Sequence, residues 1–164
     1  MNFWTILRRL KTGQLFQLLW LVLQHPLMIY PTLKATRLSF TIAKQEFPKT
    51  HDKSGKGNAF RHVLWNAMIC FECYKWKKRP EKIINWTKTI TDKHEQLFPN
   101  KEMDRLMDLH NNAVGRWLFK EYRFKSLGEL IIHIKSHLNN AKKVGTVDGF
   151  KYVGNDILYL ENEG

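Results

Sequence analysis

Residues 58–77 constrain the fold more than any other part of the chain. Drawn on a helical wheel, this segment is apolar on nearly every face. A helix that is apolar on most sides is usually buried at the centre of a protein. The sequence therefore predicts a helical bundle with this segment in its middle. Its large apolar side chains are Phe60, Val63, Leu64, Met68 and Phe71.

A polar stripe crosses this apolar segment. Asn58, His62 and Asn66 follow one another at intervals of four residues, so they share one side of a helix. An unpaired buried polar group costs roughly 1–3 kcal/mol, so each of these side chains must find a partner. The sequence leaves two interpretations open, a functional site or a hydrogen-bond network that only joins helices. Asn58 is also expected to cap the helix.

Two further histidines lie on neighbouring predicted helices. On the helix over residues 80–97, His94 falls near the middle of the apolar stripe and Glu95 at its edge. On the helix over residues 101–122, His110 is central in the apolar arc and Asn111 lies at its margin. The sequence therefore predicts that His62, His94 and His110 converge on one polar site inside the bundle.

The same helical wheel turns Asp108 and Asn112 away from the core. Both fall on the side opposite His110, so Asp108 and His110 point inward together only if the helix is enclosed on two sides. Arg61 lies nearly a right angle from His62. We expect it either to pair with Glu95 or to bind a phosphate at the mouth of the site.

The predicted fold class is mainly α, a single-domain helical bundle with a small C-terminal β-hairpin. Breaks at Pro26 and Pro31 precede a helix over residues 32–47, residues 48–57 form a loop, and Ser126 caps a last helix that ends near residue 143. The hairpin is assigned to residues 150–153 and 157–160. Within one domain, we divide the chain into N-terminal helices (1–47), the helical core with the site (58–143) and the hairpin (144–164).

The N-terminal region is basic and then apolar. Phe3, Trp4 and Trp20 accompany Arg8, Arg9 and Lys11, a combination typical of a helix at a membrane interface. Its longest uninterrupted apolar stretch, residues 18–23, is far shorter than the ~20 residues of a spanning helix. No small-residue cleavage site follows, so we predict no cleavable signal peptide. The alternative is a helix that packs on the rest of the domain.

The charge of the chain indicates an anionic partner. Its 27 Lys and Arg residues outnumber 15 Asp and Glu residues, giving a formal net charge of +12. We expect the partner to be an anionic membrane surface or a phosphate-containing substrate. Nucleic acid ranks below these, because most aromatic residues fall at apolar helical positions and so belong to the core. A basic domain without any polyanionic partner is the alternative.

Three sequence blocks together resemble an uncharacterised bacterial domain family. They are Asn58-Ala-Phe-Arg-His62, His94-Glu95 and Asp108-Leu-His110-Asn111-Asn112, and the resemblance covers residues 57–118. The family is a domain of unknown function with relatives among secreted bacterial toxins. The resemblance implies a bacterial protein and a candidate site, without a reaction. We accordingly expect a peripheral protein of the bacterial cytoplasm or of the inner face of the membrane.

The candidate site residues fall into three groups. The catalytic candidates are His62, His94, Glu95, His110 and Arg61, and the substrate-binding candidates are Asn58, Asn66, Asn111 and Asn112. The candidate metal ligands are His62, His94, His110 and Asp108. Neutral imidazole and carboxylate groups are normal ligands of zinc and similar divalent metals, and helical bundles build such sites from facing helices.

These residues favour a hydrolase, in one version dependent on a divalent metal. Its expected substrate is a phosphate-containing or lipid molecule at a membrane surface, where the metal activates water for ester or phosphodiester hydrolysis. In a metal-free version, His62 or His110 acts as general acid or base. The alternatives are a non-enzymatic binding or scaffold protein with a structural polar network, and a basic nucleic-acid-binding or nuclease domain.

Overall fold

A computed structural model of the chain describes residue 13, residues 19–21, residues 23–98 and residues 100–160. Within them the fold is helical and forms a single domain, as predicted. The long helices are α1 (Pro26–Glu46), α2 (Lys56–Trp76), α3 (Pro80–Leu97), α4 (Glu102–Tyr122) and α5 (Leu127–Asn139). Most of the predicted N-terminal helix, including Phe3, Trp4, Arg8, Arg9 and Lys11, lies outside the described residues. None of the described helices is long and apolar enough to cross a membrane.

Helix α2 is the centre of the bundle. It packs against α1, α3, α4 and α5. Every residue from Gly57 to Cys73 is buried except Arg61. The prediction that this apolar segment occupies the middle of the fold is therefore confirmed. Its three polar residues, Asn58, His62 and Asn66, are buried with the rest.

Two helix starts agree with the sequence and two differ. Helix α3 begins at Pro80, and the Ser126 side chain caps α5 by accepting a hydrogen bond from Glu129 N. Helix α1 begins at Pro26 after a non-helical His25, so the predicted break at Pro26 is confirmed. The predicted break at Pro31 is wrong, because α1 continues through it; the Pro31 residue is buried, and its packing outweighs the missing hydrogen bond. Helix α2 starts at Lys56, so Asn58 is not its cap.

The C-terminal region contains a parallel strand pair, so the predicted hairpin is wrong. Strand β1 (Lys142–Lys143) pairs with strand β2 (Leu158–Tyr159) in parallel. Parallel strands cannot be joined by a tight turn, and here a 3-10 helix (Val147–Tyr152) lies in the connection. Strand β2 and the 3-10 helix both pack against α4. Helix α4 is thus covered on one side by α2 and α3 and on another by the C-terminal segment.

Gly115 allows α2 and α4 to approach closely. A Cβ atom at this position would lie 2.3 Å from the carbonyl oxygen of Val63 and 2.9 Å from the Cβ of Asn66. Both distances are shorter than van der Waals contact, and one of the two atoms is backbone. A glycine is therefore needed here, and the close approach brings the polar side chains of the two helices within hydrogen-bond range.

Replacing Gly115 by alanine tests this contact. We expect Gly115→Ala to lower the free energy of unfolding by about 1–3 kcal/mol or more, because an overpacked core must shift. Urea unfolding followed by circular dichroism measures the change. Gly128→Ala is the matched control: it lies in the first turn of α5, where the nearest atom to an added Cβ is 3.9 Å away, so its stability should be equal or slightly higher. Equal stability of both variants and the wild type would contradict the close contact.

Candidate functional site

Three helices each contribute a stripe of buried polar side chains spaced four residues apart. The α2 and α4 stripes run in the same direction, and the α3 stripe runs the opposite way between them. Hydrogen bonds connect the stripes in successive layers. The nine residues are Asn58, His62 and Asn66 on α2, Asp108, Asn112 and Arg116 on α4, and Thr87, Thr91 and Glu95 on α3.

The innermost of these layers is satisfied within the protein. The Asn66 side-chain oxygen accepts hydrogen bonds from Thr91 Oγ1 at 3.1 Å and from Arg116 at 2.8 Å. The Asn66 amide nitrogen donates to Asn112 Oδ1 at 2.6 Å. One layer further along, Cys70 Sγ donates to Thr87 Oγ1 at 3.2 Å. Because both the oxygen and the nitrogen of the Asn66 amide bind protein groups, this side chain joins the helices in this layer.

Asn112 determines which nitrogen of His62 carries the proton. The Asn112 amide nitrogen donates to Glu95 Oε1 at 3.2 Å, so its oxygen faces the imidazole ring. That oxygen lies 3.1 Å from His62 Nδ1 and can only accept, so Nδ1 is the protonated nitrogen of the neutral ring. His62 Nε2 is left with a lone pair that is directed to the outer layer.

The outer layer surrounds His62 Nε2 with charged and amide groups. Asp108 Oδ1 lies 3.2 Å from Nε2, and a guanidinium nitrogen of Arg61 lies 3.1 Å from it. Asp108 also accepts hydrogen bonds from Asn58 and Asn100, each at 3.1 Å. Arg61 in turn donates to Asn58 Oδ1. Of the two roles expected for Arg61, the pairing with Glu95 is replaced by contacts with Asn58 and His62, and phosphate binding stays a prediction.

The electrostatics of this cluster are unusual, because two buried carboxyl groups face a neutral imidazole. Burial, and secondarily the Arg61 charge, lowers the pKa of His62 to about 3. Burial, reinforced by Asp108, raises the pKa of Glu95 to about 7. Burial also raises the pKa of Asp108 to about 6, although Arg61 opposes the shift. One ligand atom from each of His62, Glu95 and Asp108 lies within 4.8 Å of the others.

This cluster forms part of the wall of an open pocket of about 630 Å³. Helices α1, α2, α3 and α4 all contribute to its lining. Its apolar wall consists of Phe40, Trp65 and Phe98, and its cations are Arg37 and Arg61. The remaining lining residues are Thr36, Thr41, His62, His94, Glu95, Asn100 and Asp108. A ligand in this pocket can therefore meet acidic, basic and aromatic groups at once.

Residues 19–142, which include every residue of the pocket lining, match a domain family of unknown function. The chain belongs to the DUF6973 family. The expected membership of an uncharacterised domain family is confirmed at that level. No curated protein and no solved structure matches the chain significantly. The site of this DUF6973 domain must therefore be interpreted from its own chemistry.

The predicted convergence of three histidines holds for two of them, because His62 and His94 line the same pocket and His110 does not. His94 is half-buried on the pocket wall, where its ring meets Trp65 edge-on and Phe98 at a tilt, with centroids 5.1 and 4.9 Å away. Burial lowers the pKa of His94 to about 4. His94 is not part of the cluster of potential ligand atoms. His110 Nε2 lies 2.8 Å from the backbone oxygen of Asp156, on the side of α4 that faces the C-terminal segment.

Several polar residues near these histidines also face other directions than the helical wheels predicted. Asp108 and Asn112, expected to face outward, are buried in the cluster, and Glu95 is only 3% exposed. Asn111 binds strand β2: its side chain accepts from Leu158 N at 3.0 Å and donates to Leu158 O at 2.8 Å. The reason is that α4 is enclosed on two sides, so two of its faces are buried.

Several residues of the network were missed in the sequence. Thr91 and Arg116 complete the innermost layer, and Asn100 binds Asp108. The sequence contains a signal for them, because the four-residue spacing of the polar residues on α2 recurs in two other triplets, Asp108/Asn112/Arg116 and Thr87/Thr91/Glu95. A search for polar residues at this spacing, whatever their type, would have selected both triplets.

The variant Glu95→Gln, measured with EDTA present to remove metal ions, tests whether ionisation of the buried Glu95 destabilises the fold. The folded-state pKa of Glu95, about 7, lies above its ordinary value of 4.5, so its contribution to stability is present at low pH and is lost as the pH rises through 7. The wild type should therefore lose up to roughly 3 kcal/mol relative to Glu95→Gln between about pH 5 and about pH 8. Urea unfolding at several pH values measures the difference.

Glu72→Gln is the control for that experiment. Glu72 is equally buried, but Lys34 and Lys75 bind its two oxygens at 2.9 and 2.6 Å, so its ionised form is compensated. We expect no gain of this variant over the wild type at high pH. If the difference in the free energy of unfolding between Glu95→Gln and the wild type does not change with pH, the pKa of Glu95 is not raised.

Proposed function

We propose that this DUF6973 domain is a phosphoester hydrolase in which His62, Glu95 and Asp108 hold a divalent cation. The observation that carries the proposal is their geometry: three buried side chains present ligand atoms within 4.8 Å of one another beside an open pocket. Of the metal ligands expected from the sequence, His62 and Asp108 are kept, Glu95 is added, and His94 and His110 are removed.

The donor atoms suit zinc or a similar metal. A neutral imidazole with two carboxylates is a normal ligand set for a catalytic site, which leaves further positions for water and substrate. His62 Nε2 and Asp108 Oδ1 are 3.2 Å apart, close to the ~3.3 Å that separates two ligands of a tetrahedral ion with ~2 Å bonds. His62 also donates its other N–H to Asn112, the arrangement that orients most metal-binding histidines.

A cation would relieve the charge imbalance in the cluster. Glu95 and Asp108 have raised pKa values because burial disfavours their ionised forms, and the charge of Asp108 adds to the shift at Glu95. A bound dication would favour both carboxylates in their ionised forms. It would also replace Arg61 at His62 Nε2, so that the guanidinium becomes available to a substrate.

The cations of the pocket supply the phosphate contacts. Arg61 and Arg37 line the same cavity as the carboxyl groups, and guanidinium groups bind phosphate through paired hydrogen bonds. Metal-bound water is a strong nucleophile at neutral pH. A cation held by His62, Glu95 and Asp108 would supply such a water. Hydrolysis would then form a bond from the water oxygen to phosphorus, break the bond from phosphorus to the ester oxygen, and transfer a water proton to the leaving alcohol.

A structural role is the second candidate, and the innermost layer favours it. Asn66, Thr91 and Arg116 satisfy one another inside the bundle. If the outer layer served the same purpose, the domain would be a binding or scaffold protein. The two candidates differ in what they predict for the pocket-facing residues, which the following experiments address.

Metal binding is tested by calorimetric titration of Zn²⁺ and Mn²⁺ into protein purified without a histidine tag. We expect one site per chain. Glu95→Gln should weaken it by at least about 100-fold, because a ligand is lost while the hydrogen bond from Asn112 can still be accepted. Glu72→Gln, which alters a buried carboxylate outside the pocket, should bind as the wild type does. A wild type that takes up neither metal contradicts the proposed centre.

Activity is tested with p-nitrophenyl phosphate and bis(p-nitrophenyl) phosphate in the presence of the bound metal. We expect His62→Ala and Glu95→Gln to lose turnover by at least about 1000-fold, as removal of a group acting in the transition state does. His110→Ala should retain turnover per folded molecule, because its ring binds the C-terminal segment. Folded Glu95→Gln protein with unchanged turnover would support the structural role instead.

A further inference from the structure

Six exposed apolar side chains lie along α1 and the helical residues before it, and we name this set the apolar strip. Its members are more than half exposed, although large apolar side chains are normally buried or scattered singly. Three of them lie in the helical residues before α1 and three at helical spacing in α1 itself. The apolar strip consists of Leu19, Trp20, Leu23, Leu27, Tyr30 and Leu33.

The apolar strip is extended by aromatic residues at two points. The ring of Tyr30 contacts the exposed ring of Trp76 at the end of α2, with centroids 5.8 Å apart. Further along α1, the exposed ring of Phe40 lines the pocket that contains the His62 cluster. The exposed apolar surface therefore runs along α1 towards the mouth of the pocket.

The exposed charged residues around the apolar strip are mostly basic. Residues 19–45 contain no Asp or Glu, and Lys34, Arg37 and Lys44 are exposed on α1. Next to Trp76, at the end of α2, Lys75, Lys78 and Arg79 are exposed as well. The buried carboxylate of Glu72 binds Lys34 and Lys75, so it neutralises one of these two cations and leaves the surface basic.

We propose that the apolar strip docks on the surface of an anionic lipid bilayer. Leucine side chains enter the acyl region, and Trp and Tyr rings settle at the level of the head groups. Lys and Arg side chains extend to the lipid phosphates, each adding about 1 kcal/mol near an anionic surface. A second copy of the chain is a poorer occupant, because two such strips would bring basic residues against basic residues, and residues 19–45 of the second copy contribute no Asp or Glu.

Docking in this orientation places the pocket at the membrane surface. Thr36, Arg37, Phe40 and Thr41 belong to α1 and line the pocket. A phospholipid could then reach the cluster with its phosphate beside Arg37 and Arg61, and with its apolar part along Phe40, Trp65 and Phe98. This assignment of the substrate as a phospholipid rests on the proposed hydrolase function, whereas the docking itself does not.

Vesicle co-sedimentation tests the docking. The probes are vesicles of phosphatidylcholine alone and of phosphatidylcholine with about 30% phosphatidylglycerol. We expect the full chain to bind the anionic vesicles, to bind neutral vesicles weakly, and to lose affinity in high salt. The double variant Leu27→Glu/Leu33→Glu should lose at least about tenfold in affinity, because it removes two apolar groups and adds two negative charges.

Ile132→Glu is the matched control. Ile132 is 71% exposed on α5, compared with 61% for Leu27 and 56% for Leu33, so it adds a charge at an equally exposed apolar position outside the strip. It should bind vesicles like the wild type, and circular dichroism should show the same helical fold for all variants. Equal vesicle binding by the double variant and the wild type overturns the proposal.

Two further measurements separate the docking from its alternatives. Light scattering that shows a wild-type dimer, dissociated by Leu27→Glu/Leu33→Glu, together with no vesicle binding would mean that a second copy covers the strip, and the proposal would be overturned. The double variant should hydrolyse a soluble phosphodiester normally while losing activity on lipid in vesicles. Vesicle binding without hydrolysis of any phosphoester would leave the docking supported and the hydrolase function rejected.

Discussion

The side chain of Asn112 is the contact on which the rest of the arrangement depends. It joins three helices, because its oxygen accepts from His62 on α2 and its nitrogen donates to Glu95 on α3. It also accepts from Asn66, so one amide connects the innermost layer to His62 and Glu95. In a low-dielectric interior such a network is strong when every member is satisfied and costly when one is removed. The same amide fixes the tautomer of His62, and thereby decides which nitrogen faces the pocket.

The layers differ in how completely the protein uses its own polar groups. Around Asn66 the donors and acceptors are paired with one another, and this region sets the register of the helices. Around His62 the balance changes, since the ring is neutral and two carboxyl groups are buried near it. Stability alone does not require such an excess of acid, because burying an uncompensated charge is costly. Polar residues with the same four-residue spacing thus join the helices inside the bundle and form the candidate metal centre beside the pocket.

Much of the fold could be predicted from the sequence, because hydrophobic periodicity reports burial. The central position of α2 follows from it directly, and the start of α3 at Pro80 follows from the preference of proline for the first turn of a helix. The orientation of α4 could not be obtained in this way. A wheel assigns one inner face to each helix, but α4 buries Asp108 towards α2 and places His110 towards Asp156. The parallel pairing of β1 with β2 depends equally on tertiary contacts that local pattern does not encode.

The family match ends at residue 142, and the segment beyond it supplies contacts that hold α4. Asn111 binds both backbone groups of Leu158 as a neighbouring strand would, and Leu160 N donates to Ser54 O in the loop that precedes α2. Strand β2 therefore contacts both α2 and α4, the two helices whose polar stripes face each other, and fixes their relative orientation. Rotation of α4 about its axis would move Asn111 away from strand β2 and, at the same time, Asn112 away from His62. The position of the candidate centre therefore depends both on the residues that match the family and on the short segment that follows them.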